Sequence, residues 1–278
     1  MHAAADAITA LVQSPAGWVF AAIWGALWGS FANVAIYRVG LYESVVRPGS
    51  RCGRCGAPIA FYDNIPILSW LVLRGHCRRC GAKISARYPL VEALGAAIAV
   101  AVWWRFVVAP EGDAVWLLAR FFYYHAFLLV LVILAGIDLD HLLLPDRITY
   151  PAIPAFFVFG LLVGDVPAAE RLVGAVAGYA MVAITAELAW LILQKEGMGY
   201  GDAKLLAMIG VALGWCGAVA SFFLAPFVGL VIVPPILLFR RRSVFGVQIP
   251  YGPFLVVGAA AYALLGERLP WPLTFLAR

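Results

Sequence analysis

Long apolar runs separated by short polar ones set the organisation of the chain. Stretches long enough to approach a membrane crossing lie at Trp18 to Tyr37, Pro89 to Ala109, Ala114 to Ile137, Tyr150 to Val163, Leu172 to Leu193, Ala203 to Cys216, Val219 to Phe239 and Phe254 to Leu265. A spanning helix needs about 20 residues. The fourth, sixth and eighth stretches therefore require extension by their flanks, tilt or local thinning of the bilayer. Eight spans are expected, with six or seven as alternatives. The first stretch lacks a positively charged leading region and ends at Tyr37 and Arg38 instead of a small-residue cleavage site, so it reads as a helix and not a signal peptide.

Composition agrees. Of 278 residues 64% are hydrophobic and only 13% charged, with a mean hydropathy of +0.92, which excludes a soluble globular domain, a disordered chain and a secreted disulfide scaffold. The net charge of +5 is a matter of topology before it is a matter of nucleic acid, and no nucleic-acid partner is expected. With eight spans, 15 of the 20 Lys and Arg residues fall on one side: Arg38, Arg47, Arg51, Arg54, Arg74, Arg78, Arg79, Lys83, Arg87, Arg147, Lys195, Lys204, Arg240, Arg241 and Arg242. The positive-inside rule puts that side in the cytoplasm and both termini outside. Arg240 to Arg242 then serve as a topology anchor. Membrane lipid is the expected surrounding.

Between the first two spans stand Cys52-Gly53-Arg54-Cys55 and Cys77-Arg78-Arg79-Cys80, with 21 residues between the pairs. Two such pairs can close two knuckles and supply four thiolates to a tetrahedral zinc ion, with Gly53, Gly56 and Gly81 available for the turns. A reducing cytoplasm disfavours the alternative of two disulfides. His76 is a possible substitute ligand, but four cysteines suffice. A closed four-ligand site leaves no open position for substrate, so its zinc is structural. Cys216 reads as a packed apolar residue.

Carboxylates beside or within spans demand solvent, a partner or a function. Asp138, Asp140 and Asp146 cluster at the end of the third stretch, Asp202 precedes the sixth, and Glu187 lies in the fifth. Asp138 and Asp202, 64 residues apart in sequence, are expected at the cytoplasmic ends of their helices. Two neighbouring aspartates can share a proton and activate water. Gly197, Gly199 and Gly201 would let an extended substrate backbone approach Asp202. The plainer reading makes Asp138, Asp140 and Asp146 solvated helix-end residues, with Asp146 as a cap. Glu187 is expected to pair with a neighbouring helix, for instance through Arg120, and His125 to be a hydrogen-bonded core residue. Trp103, Trp104, Phe121, Phe122, Tyr123 and Tyr124 are expected at lipid or the interface.

Several segments in this order carry a resemblance: Gly29-Ser30-Phe31-Ala32-Asn33-Val34-Ala35-Ile36-Tyr37-Arg38, the cysteine pairs, Tyr62-Asp63-Asn64-Ile65-Pro66-Ile67-Leu68-Ser69-Trp70, Arg87-Tyr88-Pro89-Leu90-Val91-Glu92, Ile137-Asp138 through Leu144-Pro145-Asp146, and Gly199-Tyr200-Gly201-Asp202. Over nearly its whole length the chain resembles the bifunctional bacterial type IV prepilin peptidases, which are Gly-x-Gly-Asp aspartyl proteases. The resemblance implies cleavage of the basic leader of prepilins and pseudopilins at the cytoplasmic membrane face, then methylation of the new N-terminus from S-adenosylmethionine. It implies Asp138 and Asp202 as the catalytic pair, choosing Asp138 over Asp140, and associates Gly75 with methyl transfer. The sequence contains no nucleotide-type fingerprint for the methyl donor.

The expected architecture is an all-α polytopic inner-membrane protein of about eight transmembrane helices with a small cytoplasmic four-cysteine zinc module between the first two. Its expected parts are residues 1–37, the zinc loop 38–88 and a peptidase region 89–278. A transporter or scaffold, with the carboxylates forming an ion path and the zinc module binding a partner, is the alternative. It would carry its polar residues near the membrane midplane.

Overall fold

The computed structural model describes residues 10, 12, 14–110, 112–194, 199–239 and 249–266. Lys195, Gly197 and Arg240 to Arg242, which entered the expected charge distribution and substrate approach, lie outside the described residues. Helices dominate: α1 (Pro15–Gly40), α2 (Leu68–Val72), α3 (Arg87–Trp103), α4 (Ala114–His141), α5 (Asp146–Val163), α6 (Ala168–Leu193), α7 (Tyr200–Phe239) and α8 (Gly252–Leu265). A 3-10 turn covers Phe61–Asn64, and α3 runs on into a π-helical turn at Trp104–Val108. Six of the described helices are long and apolar enough to cross a membrane, and α8 is a shorter apolar helix.

All eight expected stretches are helical. The sixth and seventh share α7, whose helical path breaks at Gly214 (φ 78°, ψ 177°), a conformation that glycine reaches without steric cost. Unbroken, 40 residues at about 1.5 Å each would run to about 60 Å, twice the hydrocarbon core of a bilayer. The break instead leaves legs at 200–213 and 215–239. The short fourth stretch is lengthened at its start to Asp146, where Pro145 precedes the first helical turn.

The chain forms two compact units, Met1–Ile133 and Leu134–Arg278. In the first, α1 begins at a Ser14 N-cap with Pro15 in its first turn and packs along α3. The approach is close: a Cβ on Gly29 would stand 2.8 Å from Glu92 Cα, the small-residue packing by which helices associate in lipid, where no hydrophobic force draws them together. His125 is buried, with its Nδ1 3.3 Å from the indole Nε1 of Trp24, as a core histidine should be. The six aromatics expected at lipid divide. Trp103, Phe121, Tyr123 and Tyr124 are buried, while Trp104 and Phe122 remain exposed. Trp103 and Phe121 meet edge to face at 4.9 Å, so ring packing takes the place of interface anchoring.

In the second unit α7 packs against α5, α6 and α8. Its break is secured by Arg171 of α6, a fully buried arginine. The guanidinium donates to the carbonyls of Val211 and Ala212 at 2.9 and 3.1 Å, to Gly160 of α5 at 3.0 Å and to Val166 at 3.1 Å. Carbonyls at a helix end lack intrahelical donors, and Arg171 supplies them at the end of the 200–213 leg. Glu187 has a partner on a neighbouring helix. It accepts a hydrogen bond from Tyr200 Oη at 2.8 Å, while Arg120 lies over the rings of Phe106 and Trp116.

Candidate active site

Asp138 stands one turn before the end of α4 and Asp202 in the first turn of α7. Both are buried, at 6% and 8% exposure, which sets them apart from the exposed Asp140 and Asp146. Gly252 at the start of α8 reaches Asp138, and Leu144 of the strap that follows Asp138 lies against Gly201 beside Asp202, so three segments converge on one place. Gly252, the first residue of α8, donates its N–H to Asp138 Oδ2 at 3.1 Å. Asp202 donates its own N–H to the Gly199 carbonyl at 3.0 Å.

The strap between the two aspartates is also fixed. The chain leaves α4 through Leu142, at φ 53°, whose N–H bonds the Asp138 carbonyl at 2.8 Å. Leu144 is buried and lies over Gly201, where a Cβ would come within 3.1 Å of the leucine Cβ. Asp146 pairs with Lys204 of α7 at 2.6 Å, and Lys204 also lies 4.9 Å from the centre of the Tyr150 ring. Asp146 is thus the partner of a lysine, beyond its place at a helix start. Two sequence features had pointed this way without being used: the Tyr251-Gly252-Pro253 helix start and the cation two residues after Asp202.

Cys52, Cys55, Cys77 and Cys80 gather with all four sulfurs within 4.8 Å of one another. The two knuckles are built alike. Cys52 N–H donates to Ala57 O and Gly56 N–H to Cys52 O, both at 2.9 Å; Cys77 N–H donates to Ala82 O at 2.8 Å and Gly81 N–H to Cys77 O at 2.9 Å. Gly56 and Gly81 both have positive φ, whereas Gly53 does not. Cys52 and Cys80 Sγ are 3.8 Å apart, and a zinc tetrahedron with sulfurs at about 2.3 Å has edges of about 3.8 Å. The donor set therefore fits zinc. His76 lies outside the cluster, its Nδ1 2.7 Å from the Arg74 carbonyl. Backbone N–H groups of Cys55 and Arg54 pull the Cys52 thiol down to about 6, favouring the thiolate that a metal requires.

The loop is tied to itself and to α3. Arg78 makes a forked pair with Asp63, at 2.8 Å from Nε and 2.6 Å from Nη2, which holds the Asp63 carboxyl below its ordinary value. Buried Glu92 accepts the Ile67 N–H at 2.7 Å. Gly75 has φ 70°, and a Cβ there would meet the Trp70 indole at 2.9 Å. A side chain at this position would have to displace Trp70.

No solved structure matches the chain. The bacterial peptidase A24 N-terminal domain matches residues 23–106, and the type IV leader peptidase family matches residues 125–233. A prepilin leader peptidase/N-methyltransferase of Aeromonas salmonicida (strain A449) is 38% identical over 270 residues, covering 87% of this chain and 88% of the relative. Similar proteins of the same description occur in Pseudomonas aeruginosa, 35% identical over 88% of this chain and 89% of the relative, and in Myxococcus xanthus (strain DK1622), 39% identical over 81% of this chain and 64% of the relative. With its two matched domains and its apolar helices, the chain is a multi-pass inner-membrane peptidase that belongs to the type IV leader peptidase family.

Proposed function

We propose that this protein removes the basic leader from type IV prepilins and pseudopilins at the cytoplasmic membrane face, using Asp138 and Asp202 as a proteolytic pair. The observation that carries the reading is the burial of both carboxylates at helix ends whose flanks touch through Leu144 and Gly201. A peptide carbonyl is a poor electrophile. One ionised aspartate takes a proton from water as it attacks, and the partner, protonated, donates to the carbonyl oxygen. Gly252 N–H, bound to Asp138 Oδ2, orients that carboxylate. The placement at helix ends favours a peptidase over an ion path. The asymmetry of basic residues supports a cytoplasmic zinc loop and periplasmic termini.

The same protein methylates the new N-terminus, a reading supported by the word N-methyltransferase in its relatives' names, with S-adenosylmethionine supplying the methyl group. The loop 38–88 is the part assigned to this step, with a structural zinc ion on Cys52, Cys55, Cys77 and Cys80. Gly75 serves it by keeping the Trp70 turn in shape, and 89–278 forms the peptidase part. Incubating the purified protein with a prepilin and S-adenosylmethionine, then weighing the product by mass spectrometry, separates leader loss from a one-methyl gain. An intact precursor after incubation would refute the peptidase reading.

A further inference from the structure

The ion pair between Asp146 and Lys204 lies outside the pair of carboxylates, yet it ties α5, which follows α4 and Asp138 through the 142–145 strap, to α7, which carries Asp202. Asp146 lies eight positions after Asp138, and Lys204 follows Asp202 by two. Residues two apart on a helix point to nearly opposite sides, since each residue turns the helix by about 100°. Lys204 therefore grips α5 from one side of the first turn of α7 while Asp202 faces Asp138 from the other. Leu144, over Gly201, adds an apolar contact to the same buckle.

We infer that Asp146 and Lys204 are positioning residues that fix the separation of Asp138 and Asp202. The inference rests on the proposed peptidase reading. Lys204 is one-fifth exposed and Asp146 more than half; ion pairs so open to solvent add little to folding stability. Their effect is instead geometric: a misplacement of about 1 Å at a catalytic group can cost about a hundredfold in rate. Neither side chain needs to touch the substrate.

The test uses the full-length protein in detergent with zinc bound. Lys204→Met and Asp146→Asn should each lower kcat for leader cleavage about tenfold or more, with KM within about twofold and the thermal midpoint little changed. Lys204→Arg should keep most of the rate. The exchanged pair Asp146→Lys with Lys204→Asp should recover most of what Lys204→Met loses. Hydrogen exchange at the Leu142 and Asp202 amides should quicken in Lys204→Met. Wild-type kcat in both single variants, or a rate in the exchanged pair no better than in the singles, would overturn the inference. If the wild-type protein cleaves nothing, the peptidase reading fails, and the exchange measurement still decides the buckle: unchanged protection in Lys204→Met would overturn it.

Discussion

Gly252 touches Asp138 from both its backbone and its missing side chain: its N–H lies 3.1 Å from Oδ2, and a Cβ would stand 2.6 Å from that same oxygen. Gly252→Ala should therefore push the carboxylate away from its donor while leaving the helices inserted. Leader cleavage should fall by about a hundredfold, with zinc content unchanged. The check is kcat on purified protein at matched folded fraction, and wild-type turnover would show that this contact does not position the carboxylate.

Asp138→Asn and Asp202→Asn should each nearly abolish cleavage, because an amide can neither accept the water proton nor carry charge. Asp140→Asn, on an exposed residue, should be milder. Turnover needs one carboxylate ionised and the other protonated. The rate should show a bell-shaped dependence on pH in the wild type. Serine- and cysteine-protease reagents should leave it intact.

Removal of zinc with a strong chelator should release one ion per chain and loosen residues 38–88 to proteolysis, because metal ligation and folding are coupled in small modules. Cys52→Ser should lower metal content in elemental analysis. The folded Cys52 thiol, at about 6, lies below its free value of 9.0. Its ionised form thus favours the folded knuckle fully above about 9, and that contribution fades as pH falls toward 6. Zinc retention should weaken in the same direction.

Asp63→Asn should loosen the second knuckle, because Arg78 stands between its two cysteine ligands and is held from Asp63 and the Tyr62 ring. The Asp63 carboxyl is depressed by Arg78. The bridge is complete above the ordinary aspartate value of about 3.9 and is lost as pH drops through the lower folded value. Amide exchange at residues 76–83 should rise in the variant at neutral pH and match wild type in strong acid.

Arg171→Ala should be the most damaging change away from the aspartates. Each buried acceptor left without a donor costs about 1–3 kcal/mol, and the carbonyls of Val166, Val211 and Ala212 lose the donor that Arg171 supplies, while Gly160 keeps the Gly164 N–H. Thermal unfolding in detergent should report a sharply lowered midpoint or a failure to accumulate.

The helices were legible because apolar length is a property of the chain itself: α4 was placed within a few residues at either end. The break in α7 was expected between Cys216 and Val219 and falls at Gly214, since the tryptophan and cysteine that follow continue the apolar run without marking the turn. The cysteine knuckles were equally legible, being local and repeated. The pairing of Asp138 with Asp202 rested on the family resemblance alone, because nothing in either segment encodes which helices pack together. The role of Gly252 was hidden for the same reason, as a backbone donor has no signature in sequence. Glu187 finds its partner on a neighbouring helix, as expected, but in the hydroxyl of a tyrosine two residues before Asp202.

A Cβ on Gly160 would run into the guanidinium of Arg171, the same group that closes the break at Gly214. Positions 160, 171 and 214 consequently cannot drift independently. A larger residue at 160 evicts the arginine and strands the broken helix end, while a smaller one at 171 leaves a polar hole that only a compensating change elsewhere could fill. In a random mutant library selected for cleavage, survivors altered at 171 should carry a second change at 160 or 214 far more often than chance, and the order in which such changes accumulate should be constrained by this triplet.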